Sequence, residues 1–273
     1  MTRIFNWLTN ISKSYFVVVF LLFLLLAVNR SLFHAGFFYL HDFTHSTRIA
    51  EMGRALADGQ LPVRWSANFG YGFGMPLFNF YAPLPYFLGA LFWLAGADLI
   101  LTLKILYFIL SALTLLGAYL LGKKLAGRSA GLLLATIFLL SPYRAVNLFV
   151  RGALSETFAM TFFPWVIWAG AAWLQERQKK HFLILVLSLA GIMLSHNLSA
   201  LIFYPFSALF LLVYALCLKQ FRLLDTLKVL LPLVGAYLLS LALTAFYSLP
   251  ALLENQATII NSIFGGYFHY SNH

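Results

Sequence analysis

One cysteine in 273 residues excludes a disulfide within the chain and any cysteine-based metal cluster. That residue, Cys217, lies in a leucine-rich run and reads as a small lipid-facing or packing side chain. Charge is scarce as well. Charged residues make up 10% of the chain, and acids are the rarer kind, 8 Asp and Glu against 18 Lys and Arg. A net charge of +10 suits nucleic acid only when basic residues gather on one exposed face with aromatics between them. Here they punctuate apolar runs, so no nucleic-acid partner is expected. No internal repeat, low-complexity tract or interdomain linker is visible, and residues 1–273 read as a single membrane domain. A small-x-small cleavage site is also missing: Asn29-Arg30-Ser31-Leu32 follows the first apolar stretch. Arg3, Lys13 and Tyr15–Val28 are therefore expected to form an uncleaved signal anchor.

What the chain does have is apolar side chain, 62% of its residues, with 28 Phe, far more than a soluble core requires. Apolar segments fall near Tyr15–Val28, Leu84–Ala95, Leu99–Leu121, Ser129–Leu140, Phe158–Trp173, Phe182–Leu194, Ser199–Leu218 and Val229–Leu249. They are continuous rather than alternating, which favours helices over a barrel, and a helix satisfies its own backbone in lipid. The expected fold is all-α and polytopic, in contact with membrane lipids on its outer surface.

Counting all eight segments as spans with a cytoplasmic N-terminus puts Lys123, Lys124, Arg128, Arg177, Lys179 and Lys180 outside, against the positive-inside bias. Leu84–Ala95 is the segment to remove. It is short, follows Pro83 and Pro85, and reaches the next run through Gly96-Ala97-Asp98 alone, so it reads as an interfacial or re-entrant helix. Seven spans then leave four basic clusters in the cytoplasm: Arg3 with Lys13, Lys123-Lys124 with Arg128, Arg177 with Lys179-Lys180, and Lys219 with Arg222 and Lys228. The outer side receives Asp42, Glu51, Asp58, Asp98, Glu156 and Glu254, with His34, His41, His45 and His196 and several arginines. The expected location is the cell membrane, with the N-terminus inside.

The first outer loop, about 29–98, is long enough to carry function. Within it, Ile49, Met52 and Leu56 recur at helical spacing from His45 to Ala57, and Gly59 and Pro62 supply a stop. His45 and Arg48 then share one face of a short amphipathic helix, and Asp42 stands just ahead of it. Asp42 or Thr44 can serve as an N-cap, yet His41, Asp42, His45 and Arg48 together also form a polar cluster. Gly70, Gly72 and Gly74 alternate without the strand or helix of a nucleotide fingerprint. They read as tight turns carrying aromatics that sit at the interface or stack on a ligand.

Several of these motifs carry a resemblance. His41-Asp42, the Arg48 to Met52 helix with its Arg-x-x-Glu-Met pattern, Pro62-Val63-Arg64-Trp65, the run from Gly70 to Tyr81, Ser141-Pro142-Tyr143-Arg144, Arg151 to Glu156 and Ser195 to Ser199 resemble bacterial membrane proteins labelled 6-pyruvoyl-tetrahydropterin synthase-related. They are similar, more distantly, to membrane glycosyltransferases of the GT-C class. The pterin chemistry is not carried over, because the soluble synthase uses a histidine metal cluster in an α+β domain and no such spacing is present. The GT-C resemblance implies a polyprenyl-phosphate-linked sugar donor, a catalytic acid in the first outer loop at Asp42, and two juxtamembrane helices, the second being Leu84–Ala95. A lone acid replaces the usual Asp-x-Asp or Asp-x-Glu pair, so a divalent metal is left open. The family usually continues beyond a seventh span, so the chain reads as a fragment or remnant of a longer enzyme, truncated at its C-terminus.

Transfer of sugar from a lipid phosphate needs a base or metal at the acceptor and cations at the leaving phosphate. Asp42 is suited to the first role, with His41 and His45 to orient it or share a metal, and Arg64, Arg144 or Arg151 to the second. Arg48, Asn79, Glu156 and His196 complete the candidate substrate-binding set. Glu156 could instead pair with an arginine, and His196 sits where a turn or cap is common. Two other readings come from different classes: a transporter or flippase of lipid-linked saccharides, and a noncatalytic scaffold. Lys104 is the one plausible intramembrane charge in the sequence, fewer than transporters commonly carry.

Overall fold

The computed structural model describes residues 2–218 and 223–258, and the backbone alone of 2–14, 223–227 and 229. Lys219 and Arg222 lie outside the described residues, and the side chains of Arg3 and Lys13 are not described. The described chain is all helix and loop, with one isolated β-bridge between Ser66 and Met75. Nine longer helices define it among the described residues: α1 (Thr2–Val28), α2 (His45–Ala57), α3 (Leu84–Leu94), α4 (Leu99–Ala126), α5 (Arg128–Leu140), α6 (Leu154–Glu176), α7 (Lys179–Met193), α8 (Asn197–Cys217) and α9 (Leu223–Leu253).

Five helical stretches are long and apolar enough to cross a membrane: Leu99–Ala126, Arg128–Arg151, Leu154–Glu176, Asn197–Cys217 and Leu230–Leu253. The second of these prolongs α5 through a turn at Pro142–Val146 and a wide turn at Asn147–Arg151. The N-terminal helix α1 carries a shorter apolar stretch, Tyr15–Val28, and α7 has 15 residues. The first helix starts well before its apolar part because nothing from Thr2 to Ser14 is Gly or Pro, the residues that break a helix.

Helix ends sort into two layers. At one end Lys124 meets Glu176 at 2.5 Å and Gln175 meets the Tyr214 hydroxyl, so α4, α6 and α8 finish together there. At the other end the first loop joins the entries of α4, α6 and α8 and the exits of α7 and α9. The Leu84 N–H donates to the Leu194 carbonyl at 2.9 Å, the Asp42 N–H to that of Arg151 at 2.8 Å, and Arg64 to that of Phe246 at 2.9 Å. Both ends of α3 lie at this second end, since it begins beside Leu194 and leads through Gly96 directly into α4. Its 11 residues span about 16 Å at 1.5 Å per residue, about half of a bilayer core. The short α3 with both ends at this side, beside five longer crossing-length stretches and the shorter apolar part of α1, agrees with an all-α polytopic membrane protein.

Small residues bring the helices together, as they must where lipid offers no hydrophobic drive for association. A Cβ on Gly131 of α5 would lie 2.8 Å from the Tyr119 carbonyl of α4, and one on Gly170 of α6 would lie 2.5 Å from the Leu211 side chain of α8. The same device locks α2 onto α3. Gly89 faces Ile49 and Gly53 faces the Trp93 ring, where added Cβ atoms would approach to 2.7 and 2.5 Å. Ile49, Met52, Tyr86 and Ala90 are fully buried in the resulting core, so the amphipathic face of α2 packs against α3 and α4.

Candidate functional site

The first loop begins with a bond that sets its position. His41 and Asp42 donate backbone N–H groups to the carbonyls of Val150 and Arg151 at 3.1 and 2.8 Å. This holds the Asp42 side chain at the junction of α5 and α6. Its carboxylate is 39% exposed and sits 2.8 Å from His41 Nδ1. Thr44 occupies the N-cap position of α2 without a side-chain cap bond, and among the described residues Asp42 accepts from no N–H of that helix. Asp42 instead lines a cavity of about 420 Å³ with His45, Ser46, Phe43, Leu103 and Tyr107.

Beneath this carboxylate lies a buried polar cluster. His45 is 3% exposed, with Nδ1 2.9 Å from the Tyr86 hydroxyl and Nε2 3.4 Å from the Leu154 amide. The Tyr86 hydroxyl also receives Arg48 at 3.3 Å and meets Ser155 Oγ at 3.1 Å. Burial, with the Arg48 charge adding to it, lowers the His45 pKa to about 4, so the imidazole is neutral near pH 7. Burial also pushes the Tyr86 phenol well above its ordinary range. Arg48 lies 4.1 Å above the Tyr81 ring, a stacking that suits a planar guanidinium. Among the described residues it has no carboxylate partner.

A second polar group stands at the entry of α6. Arg151 donates to Glu156 at 2.9 Å and to Asn147 at 2.6 Å, and the Tyr143 hydroxyl donates to the other carboxylate oxygen of Glu156. His196 caps α8, accepting from the Ser199 amide, and lines a small cavity with Tyr81, Ser195 and Asn197. Burial keeps the His196 imidazole below its usual pKa, with Glu156 opposing and Arg151 adding to the effect. Asp42 in turn interacts by charge with both His45 and Arg151. His41, Asp42, His45, Arg48, Arg151, Glu156 and His196 therefore form one connected neighbourhood.

Three expected site residues are placed elsewhere. Arg64 donates to Asn79 at 2.5 Å, and Asn79 donates to Glu254 at 2.7 Å, so both tie the loop to the end of α9. Arg144 is 4% exposed and reaches Ser111, itself bonded to Asn29, and the Leu139 carbonyl at 3.2 Å. Its guanidinium sits inside the bundle and does not line the Asp42 cavity. Lys104 donates to the His34 carbonyl at 2.5 Å.

Tyr86 and Ser155 were not singled out in the sequence, since a Tyr in an apolar helix and a Ser beside a span are ordinary there. In the sequence Glu51 stands among the outer acids and in the Arg-x-x-Glu-Met pattern, with no site role assigned to it. It is 3% exposed and accepts from Arg54, Ser66 and both the amide and side chain of Asn68, at 2.6 to 3.0 Å. Its signal is an acid set between the core positions Ile49 and Met52. Among the described residues no three His, Cys, Asp or Glu side chains come together as a metal site, and His41 with Asp42 offers two donors.

A family profile described as a 6-pyruvoyl-tetrahydropterin synthase related domain, a membrane protein, matches residues 78–264. The matched region includes Asn79, Arg144, Arg151, Glu156 and His196, and starts after Asp42, His45, Arg48 and Arg64. An uncharacterized protein of Lactococcus lactis subsp. cremoris (strain MG1363) is 28% identical over 260 residues, which cover 89% of this chain and 40% of the relative. The chain thus spans about two fifths of the length of that relative. With more than half of its length matched, the chain belongs to the 6-pyruvoyl-tetrahydropterin synthase-related family of membrane proteins.

Proposed function

We propose that this chain is the membrane part of a glycosyltransferase that moves a sugar from a polyprenyl-phosphate carrier to an acceptor on the extracytoplasmic side. The observation that carries the reading is the placement of Asp42. It is a half-exposed carboxylate that caps no helix among the described residues, faces a cavity at one end of the bundle, and has the Arg151 guanidinium within its electrostatic field. A carboxylate so placed is suited to take the proton of an acceptor hydroxyl as the new C–O bond forms at the anomeric carbon. The bond from that carbon to the phosphate oxygen breaks with its electron pair. Arg48, which has no carboxylate partner among the described residues, is suited to receive the departing phosphate, and Arg151 lies nearby. The family resemblance supplies the donor class. The cluster Lys123, Lys124, Arg128, Arg177, Lys179 and Lys180 lies at the opposite end from Asp42, which supports an outward-facing site.

The reading is tested with purified protein in vesicles supplied with a radiolabelled polyprenyl-phosphate sugar. Release of polyprenyl phosphate, dependent on an added acceptor, supports transfer. Movement of intact donor between leaflets without cleavage supports a flippase instead.

A further inference from the structure

The loop 66–75 is built rigidly for a segment that packs so little of itself away. Ser66 and Met75 exchange backbone hydrogen bonds at 2.9 and 3.0 Å, and within the loop Gly74 donates to Phe69 and Phe73 to Gly70. Gly70, Tyr71, Gly72 and Gly74 all have positive φ, which fixes a tight and unusual path. The buried Glu51 carboxylate holds its base through Ser66 and Asn68. What this frame presents is Tyr71, at 102% relative exposure, and Phe73, at 88%. Large aromatics held wholly outside a fixed loop mark a contact surface.

Two observations identify what covers it. From Trp65 to Ala97 the chain contains no Asp, Glu, Lys, Arg or His, an uncharged stretch ill suited to standing in bulk water. The flanks of the loop are also fixed in height. Arg64 bonds the Phe246 carbonyl and Asn79 bonds Glu254, so the base of the loop is level with the last two turns of α9. The outward side chains of those turns, Leu249, Leu252 and Leu253, are still apolar and exposed at 53, 68 and 77%, and they belong to a stretch long and apolar enough to cross a membrane. The loop base therefore sits where hydrocarbon gives way to headgroups, the depth that aromatic side chains favour.

We propose that loop 66–75 is an interfacial anchor that seats Tyr71 and Phe73 in the headgroup layer of the bilayer on the Asp42 side. The anchor is independent of any sugar-transfer activity. It fixes the height of the first loop, and with it the cavity at Asp42, relative to the lipid.

The test is a nitroxide placed by Phe73→Cys on a Cys217→Ser background, in vesicles of phosphatidylethanolamine and phosphatidylglycerol. A second variant, Tyr71→Cys, repeats the reading, and Asp58→Cys, at the end of α2, provides an exposed reference outside the loop. Collision with oxygen, which concentrates in lipid, is compared with collision with a water-soluble nickel chelate. The expected result is an oxygen-to-nickel ratio at 73 and 71 several-fold above that at 58. Ratios at 71 and 73 equal to that at 58 would place the aromatics in water and overturn the proposal. A label shielded from both reagents would show that protein covers the loop, which also overturns it.

Discussion

The amide of Asp42 donates to the carbonyl of Arg151 across 2.8 Å, joining the start of the first loop to the point where the chain turns into α6. Through this bond the acid of the first loop and the Arg151–Glu156 pair keep a fixed relation, although more than a hundred residues separate them. The His45–Tyr86–Ser155 contacts make a parallel connection one layer deeper. The site is thus assembled from a loop laid across helix ends.

Glu51→Gln should cost about 3 kcal/mol, because a buried carboxylate with four hydrogen bonds from donors becomes an amide that accepts poorly and brings donors of its own. Thermal unfolding in detergent checks this, and limited proteolysis should open the chain near Asn68. Burial tends to raise the Glu51 pKa, but hydrogen bonds from Asn68, Ser66 and Arg54 prevail and hold it below the usual carboxylate range. A depressed carboxylate contributes stability above its unfolded pKa and loses it as pH falls through the folded value. The wild-type protein should lose this contribution on acidification below the ordinary Glu range, and Glu51→Gln should lack that loss.

His45 acts in a higher pH window. With its pKa lowered from 6.5 to about 4, the unfolded state binds the proton first as pH falls, so stability declines between those two values. The full effect is on the order of 3 kcal/mol, from 1.36 kcal/mol per pKa unit. Melting temperature measured from pH 7 to 4.5 should fall more steeply in wild type than in His45→Gln. Parallel curves would count against a buried neutral His45.

Gly89→Val tests the seating of the juxtamembrane helices. Its Cβ would come within 2.7 Å of Ile49, and overpacking of this kind costs about 1–3 kcal/mol. Since α2 carries both His45 and Arg48, activity should fall as well while the protein still inserts. Unchanged stability and turnover would show that α2 and α3 are loosely joined.

The spans and the two short loop helices were legible because hydropathy, spacing and prolines are local signals. Ile49 and Met52 appear in the sequence as a helical stripe and are buried as one. The allocation of arginines was not legible. Arg48, Arg64, Arg144 and Arg151 look alike in sequence, and only the fold gives Arg64 to Asn79 and Arg144 to Ser111, whereas the pairing of Glu156 with an arginine is a reading of the sequence that Arg151 fulfils. Tyr86 stayed hidden for the same reason, since its partners His45 and Ser155 lie 41 and 69 residues away.

Orientation is decided by single-cysteine labelling on the Cys217→Ser background. Positions 123, 177 and 219 should react only from the cytoplasmic side, and 42, 151 and 196 only from outside, as the distribution of basic residues requires. Labelling of position 123 from outside would reverse the topology and move the Asp42 site away from extracytoplasmic substrates.

The central claim rests on Asp42, and Asp42→Asn isolates it, because the substitution keeps the size of the side chain and removes its basicity. The measurement is acceptor-dependent release of polyprenyl phosphate by purified wild type and variant, with melting temperature followed in parallel. The account predicts a loss of turnover of about 100-fold or more with insertion and melting unchanged. Near-normal turnover in Asp42→Asn would contradict it.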